Sequence, residues 1–204
     1  LLSWAATFGA EARLESALQE PRANADDAAT GGFIQQDRTT LGVMFYRGVE
    51  LLRSEGAHVS RARGLLERVA HSYRQTMNLD VLPVALGFWA EAVRRLGDAE
   101  HAIELSTEAA TLLEAGAPSL LNEAPVYLAL HDACVDIGDL RSAKGAMERG
   151  IPFLVRRLKG LEDTPYAKSF LTSLSHNAAL LAAAEAYGLV PDHVNAARNY
   201  RGES

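Results

Sequence analysis

The stretch Arg95-Leu96-Gly97-Asp98-Ala99 returns 41 residues later as Asp136-Ile137-Gly138-Asp139-Leu140 (138 − 97 = 41). A looser version, Leu52-Arg53-Ser54-Glu55-Gly56-Ala57, stands 41 residues before it (97 − 56 = 41). A small residue follows each glycine at a similar distance: Ala62, Ala102 and Ala143. Glycine at the end of an apolar stripe stops a helix, because it alone enters left-handed backbone without steric cost. The aspartate after it caps the next helix, its carboxylate accepting from an otherwise unpaired amide. Each phrase therefore reads as helix, tight turn, helix, and a tight turn makes the two helices antiparallel neighbours. A fixed period of roughly 20–50 residues marks a stacked array of such units.

The flanking residues carry the helical period. Leu82, Leu86, Trp89, Ala90, Val93 and Leu96 form one stripe within residues 80–96, and Ala102, Ile103, Ser106, Ala109, Ala110 and Leu113 another within residues 99–115. Val126, Leu130, Ala133, Cys134 and Ile137 form a third, and Asp139 caps a helix to about Lys159. Thr39 or Thr40 opens a helix to about Ser54, and Ser60 opens one to about Met77. Breaks fall at Gly116-Ala117-Pro118-Ser119 and from Gly160 to Pro165. A long helix is expected from about Tyr166 to Tyr187, ended by Gly188, with Pro191-Asp192 opening a short last one. Residues 1–20 read as an N-terminal helix ended by Pro21, residues 21–37 as a loop or linker, and residues 38–204 as the array, about four helical pairs. No stretch alternates with period two, so no sheet is expected and the fold class is all-α.

Composition narrows the function. The 204 residues are 48% hydrophobic and 23% charged, with a formal net charge of −6. A mildly acidic chain gives no footprint for nucleic acid, and the one basic cluster, Arg156-Arg157-Leu158-Lys159, suits a helix C-terminus. Cys134 is the lone cysteine, so no internal disulfide is expected. No apolar run approaches the ~20 residues of a membrane span, and no signal peptide is visible, so the expectation is a cytoplasmic protein without membrane contact. A chain starting at Leu1 rather than Met reads as a fragment of a longer protein.

Little here points to chemistry. There is no Gly-x-x-x-x-Gly-Lys-Ser/Thr phosphate loop, no His-Glu-x-x-His segment and no cysteine pair for zinc, so neither cofactor nor metal is expected. Asp26-Asp27 reads as a solvated pair in the linker. His131 and Cys134, three apart, share a helix face as a thiol–imidazole pair would, but Cys134 lies on the apolar stripe and reads as core. Trp89, between Leu86 and Val93, also reads as core, and His176-Asn177 as a structural hydrogen-bonding pair or a ligand contact. No convergent acid–base cluster can be assembled, and no enzyme is expected.

The turns and stripes resemble the tetratricopeptide repeat, a helical hairpin of about 34 residues. Leu86, Trp89, Ala90, Val93, Gly97, Asp98 and Ala102 match its pattern, as do Leu130, Cys134, Gly138, Asp139 and Ala143; Phe45, Val49, Leu52, Gly56 and Ala62 match with a turn one residue longer. The longer period and His131 at a small-residue position are departures. The phrase from Tyr166 to Asn177, followed by Leu180-Leu181-Ala182-Ala183-Ala184, resembles the C-terminal repeats of large bacterial signalling proteins that join a P-loop ATPase to kinase or cyclase domains; Lys168 stands where those carry Arg.

The resemblance implies a right-handed α-α superhelix whose first helices line a concave groove. Carried over on the glycine register, the partner-binding residues are Tyr46, Glu50, Arg53, Glu91, Arg94, Arg95, Asp132, Asp136 and Glu185, with Val43, Gly87, Leu128, Val135, Ala178 and Ala182 between them. It implies a cytoplasmic scaffold or regulatory module of a bacterial signalling protein that binds a protein or peptide segment, with possible homo-oligomers through the end repeats. The alternative is the effector- or peptide-sensing domain of a transcriptional regulator, with a deep pocket lined by Tyr46, Trp89 and Arg94.

Overall fold

The structure, a computed structural model, describes residues 38–53, 58–117, 119, 121–161 and 164–199. The expected N-terminal helix, the linker and the Gly56 turn lie outside the described residues. Among the described residues there are nine helices and no strand: α1 (Arg38–Arg53), α2 (His58–Gln75), α3 (Leu82–Arg95), α4 (Ala99–Glu114), α5 (Ala124–Asp136), α6 (Leu140–Leu158), α7 (Pro165–Thr172), α8 (Ser175–Ala186) and α9 (Asp192–Arg198). The protein is all-α.

The two matching phrases form matching turns. Gly97 has φ 93° and Gly138 φ 79°, values that any β-carbon would strain. Gly97 N–H donates to Arg94 O at 2.8 Å and Asp98 N–H to Val93 O at 3.3 Å; Gly138 N–H donates to Val135 O and Asp139 N–H to Cys134 O, both at 2.9 Å. These bonds satisfy carbonyls that the ended helix leaves open. Each aspartate then caps the next helix: Asp98 Oδ1 accepts from His101 N–H at 3.1 Å, and Asp139 Oδ1 from Ser142 N–H at 3.0 Å. Ser142 thereby holds the Asp139 carboxyl below its ordinary pKa.

Neighbours in sequence pack as neighbours in space, from α1 on α2 through to α5 on α6, and α3 also meets α5 directly. Ala62, Ala102 and Ala143, the small residues of the three phrases, are completely buried. Gly48, Gly87 and Gly150 mark close approaches: a β-carbon at Gly87 would lie 2.9 Å from Val126 Cα, and one at Gly150 2.8 Å from Tyr127 Cβ. Trp89 is buried as expected, its ring beside those of His71 and His101 at 5.5 and 5.7 Å and its indole N–H without an acceptor.

Charge orders the outer helices. α2 carries Arg61, Arg63, Arg68 and Arg74 against Glu67; α4 carries Glu100, Glu104, Glu108 and Glu114 with no Lys or Arg; α6 carries Arg141, Lys144, Arg149, Arg156 and Arg157 against Glu148. The acidic helix bonds to its basic neighbours on both sides, Arg74 to Glu108 and Arg149 to Glu114, each at 2.7 Å.

Three expectations are corrected. Ser60 does not cap α2, which already begins at His58. Leu96 and Ile137 are not core: each is the last residue before its turn glycine, where the chain swings outward, and they are 44% and 50% exposed. The single helix from Tyr166 to Tyr187 is two, α7 and α8, broken at Ser173-Leu174. The break is held by Asn177, wholly buried, whose Nδ2 donates to Phe170 O at 2.9 Å while its Oδ1 accepts from Asn122 Nδ2 at 2.6 Å. The side-chain amide satisfies a carbonyl near the end of α7 and ties the bend to the segment before α5. Helix α8 then packs on α5 and α6, and α9 folds back on α7.

Candidate functional site

A row of aromatic rings crosses three helices. Tyr46 meets Phe45 edge-on with centroids 5.3 Å apart, Phe45 meets Phe88 of α3 at 5.8 Å, and Phe88 meets His176 of α8 at 5.2 Å and 89°. Such edge-to-face contacts direct the positive ring edge at the negative face of the next. His176 therefore belongs to the same surface as α1 and α3, although it is far from both in sequence. Burial lowers its pKa, and the nearby charge of Arg53 lowers it further, so the imidazole is neutral at physiological pH. Tyr46 is 65% exposed at one end of this row. Arg53, also exposed, makes no hydrogen bond or ion pair among the described residues.

Most of the other residues carried over from the resemblance are occupied with one another or with near neighbours. Arg94 bridges from α3 to α5, 2.9 Å from Asp136 Oδ2 and 3.8 Å from Asp132 Oδ2. Asp132 Oδ1 lies 2.7 Å from His131 Nδ1, and His131 Nε2 is 3.3 Å from Tyr187 Oη, so one polar chain links α3, α5 and the end of α8. Arg95 donates to Leu52 O and lies 3.9 Å from Glu91. Glu50 pairs with Arg47 in its own helix at 2.6 Å. Glu185 is held by Arg198 at 3.0 and 3.1 Å and fastens α9 to α8. Of the nine residues carried over from the resemblance, Arg94, Asp132 and Asp136 form a cluster, while Glu50 and Glu185 are spent locally. Among the described residues, Tyr46 and Arg53 are exposed and make no hydrogen bond or ion pair. Gly87 and Leu128, expected to face the groove, are buried instead, because α3 and α5 approach each other closely there.

Glu91 is part-buried between these groups. Desolvation raises its carboxyl pKa, and Arg95 and Arg94 only partly oppose this. A carboxyl whose folded pKa is raised binds protons more readily in the folded state than in the unfolded one. Its contribution to stability is full below the unfolded pKa and is lost as pH rises through the folded value. Glu91→Gln is thus expected to raise the melting temperature at pH 7 relative to the parent and to lose that advantage near pH 4, a difference readable by thermal circular dichroism at the two pH values.

The thiol–imidazole pair does not form. Cys134 is 3% exposed with its pKa raised, chiefly by burial and then by the charge of Asp139. Both ring nitrogens of His131 are engaged, with Asp132 and Tyr187. Among the described residues no helix is long and apolar enough to cross a membrane.

No protein-family model matches the sequence, and no curated protein is similar to it.

Proposed function

We propose that the chain is a tetratricopeptide-like superhelix that binds a protein or peptide segment, as a scaffold or regulatory module of a larger bacterial signalling protein in the cytoplasm. The matched glycine–aspartate turns at Gly97 and Gly138, with Ala102 and Ala143 buried behind them, support the repeat reading. The observation that carries the binding role is the exposed pair Tyr46 and Arg53, beside the Phe88–His176 stack. A rigid aromatic and an exposed guanidinium near the part-buried His176 ring are what protein interfaces use as anchors. The guanidinium favours a partner carboxylate. The effector-pocket reading gains no support: Trp89 is buried beneath two imidazoles and Arg94 is tied to α5, so the two do not open on one pocket with Tyr46.

The test uses Tyr46→Ala with Arg53→Gln, since changes at Arg94 would break ion pairs of the fold. Partners captured by the immobilised chain are identified, and the affinity of each is measured against the parent and the variant. A loss of about thirtyfold, corresponding to about 2 kcal/mol, is expected for an anchor pair of this kind. Equal affinity for both proteins would reject the surface.

A further inference from the structure

At the turn end of the same groove, a cleft of about 460 Å³ opens between the α3–α4 turn and the end of α5. Its walls carry three carboxylates, Asp98, Glu100 and Asp136, against the one cation Arg94, which is already bonded to Asp136. Asp98 is engaged in capping α4, whereas Glu100 is exposed and makes no hydrogen bond or ion pair among the described residues. The apolar part of the wall is Ile137, half exposed, and Leu140 stands uncovered just beyond the same turn at 61% exposure. Scattered apolar side chains on a surface mean little, but here Ile137 lines a concave, net-negative cleft and Leu140 is exposed three residues beyond it. The combination favours an occupant that brings both a cation and an apolar group.

We propose that this cleft docks a partner segment presenting a Lys or Arg side chain next to an aliphatic or aromatic one. The cation meets Glu100 and the free side of Asp136, and the apolar neighbour covers Ile137. The inference rests on the reading of this protein as a segment-binding module and names the chemistry of that segment at one end of the groove. It is distinct from the carboxylate preference of Arg53 at the end of α1, so a bound segment carries a basic residue at the cleft and an acidic one at Arg53.

Three fluorescein-labelled peptides test this by polarisation: alternating Lys and Leu, alternating Glu and Leu, and alternating Lys and Ser. Each is titrated with the parent, with Ile137→Ser/Glu100→Gln, and with Tyr46→Ala/Arg53→Gln. The Lys/Leu peptide is expected to bind the parent at least about tenfold more tightly than the other two. The cleft variant should lose about tenfold in affinity for it, more than the Tyr46/Arg53 variant loses. Both cleft positions are exposed, so the variant should melt with the parent; should it not, the Ile137 methyl resonance of the parent must shift on adding Lys/Leu peptide. Unchanged binding by the cleft variant, no preference for the Lys/Leu peptide or no binding at all would overturn the cleft assignment. Loss in the Tyr46/Arg53 variant alone would overturn it too while leaving the groove reading standing.

Discussion

Arg157→Met is expected to destabilise the protein by about 3 kcal/mol, the low end for breaking a buried ion pair. Glu123 is only 4% exposed, and Arg157 grips it with both arms, Nε to Oε2 at 2.5 Å and Nη2 to Oε1 at 2.9 Å. The same guanidinium donates to Leu121 O at 2.6 Å and Ser119 O at 3.0 Å, so it also fixes the approach to α5. Removing it leaves a buried carboxylate whose remaining cation, Arg156, is 3.8 Å away and lies over the Phe153 ring. Arg157 is itself about one-third exposed, which tempers the loss. For a chain of this size the melting temperature should fall by about 6–12 °C. The double change Arg157→Met/Glu123→Leu should recover more than half of that, since an apolar pair leaves no orphaned charge. If the single and double variants melt together, the ion pair contributes nothing specific.

Gly87→Ala is expected to cost about 1–3 kcal/mol, although alanine is the better helix former by about 1 kcal/mol. The new methyl would stand 2.9 Å from Val126 Cα and 3.1 Å from Val126 N, and backbone cannot step aside as a flexible side chain can. Gly64→Ala supplies the opposite sign. Gly64 lies inside α2 with nothing within 4 Å of its would-be β-carbon, so that change should stabilise by about 0.5–1 kcal/mol. Urea unfolding of the two variants separates the cases, and a gain in stability at both sites would show that α3 and α5 do not meet as described.

These residues also show what the sequence made legible. The turns at Gly97 and Gly138 were readable because a backbone conformation forbidden to other residues selects glycine, and an open helix end selects aspartate; both are local requirements. Trp89 and Cys134 were readable as core from their stripes. Gly87 was misplaced because its role depends on a second helix, though an interior helical glycine, costly by itself, was a pointer to close approach. The break between α7 and α8 has no glycine or proline to announce it, since Asn177 makes it through a bond to a distant segment. His176 and Arg53 come near each other only because the start of α8 reaches the Phe88 ring of α3, which no periodicity records. Arg94 and Asp136 were readable as residues at matching places of one register, but their bond to each other is tertiary.

The alternation of charge along α2, α4 and α6 sets the middle of the three helices apart from its neighbours. The acidic helix is held from both sides by Arg74 and Arg149, so moving it out of the middle would set basic helix against basic helix. The ionic pattern marks which helix lies between the other two, and high salt should weaken that mark before it melts the helices.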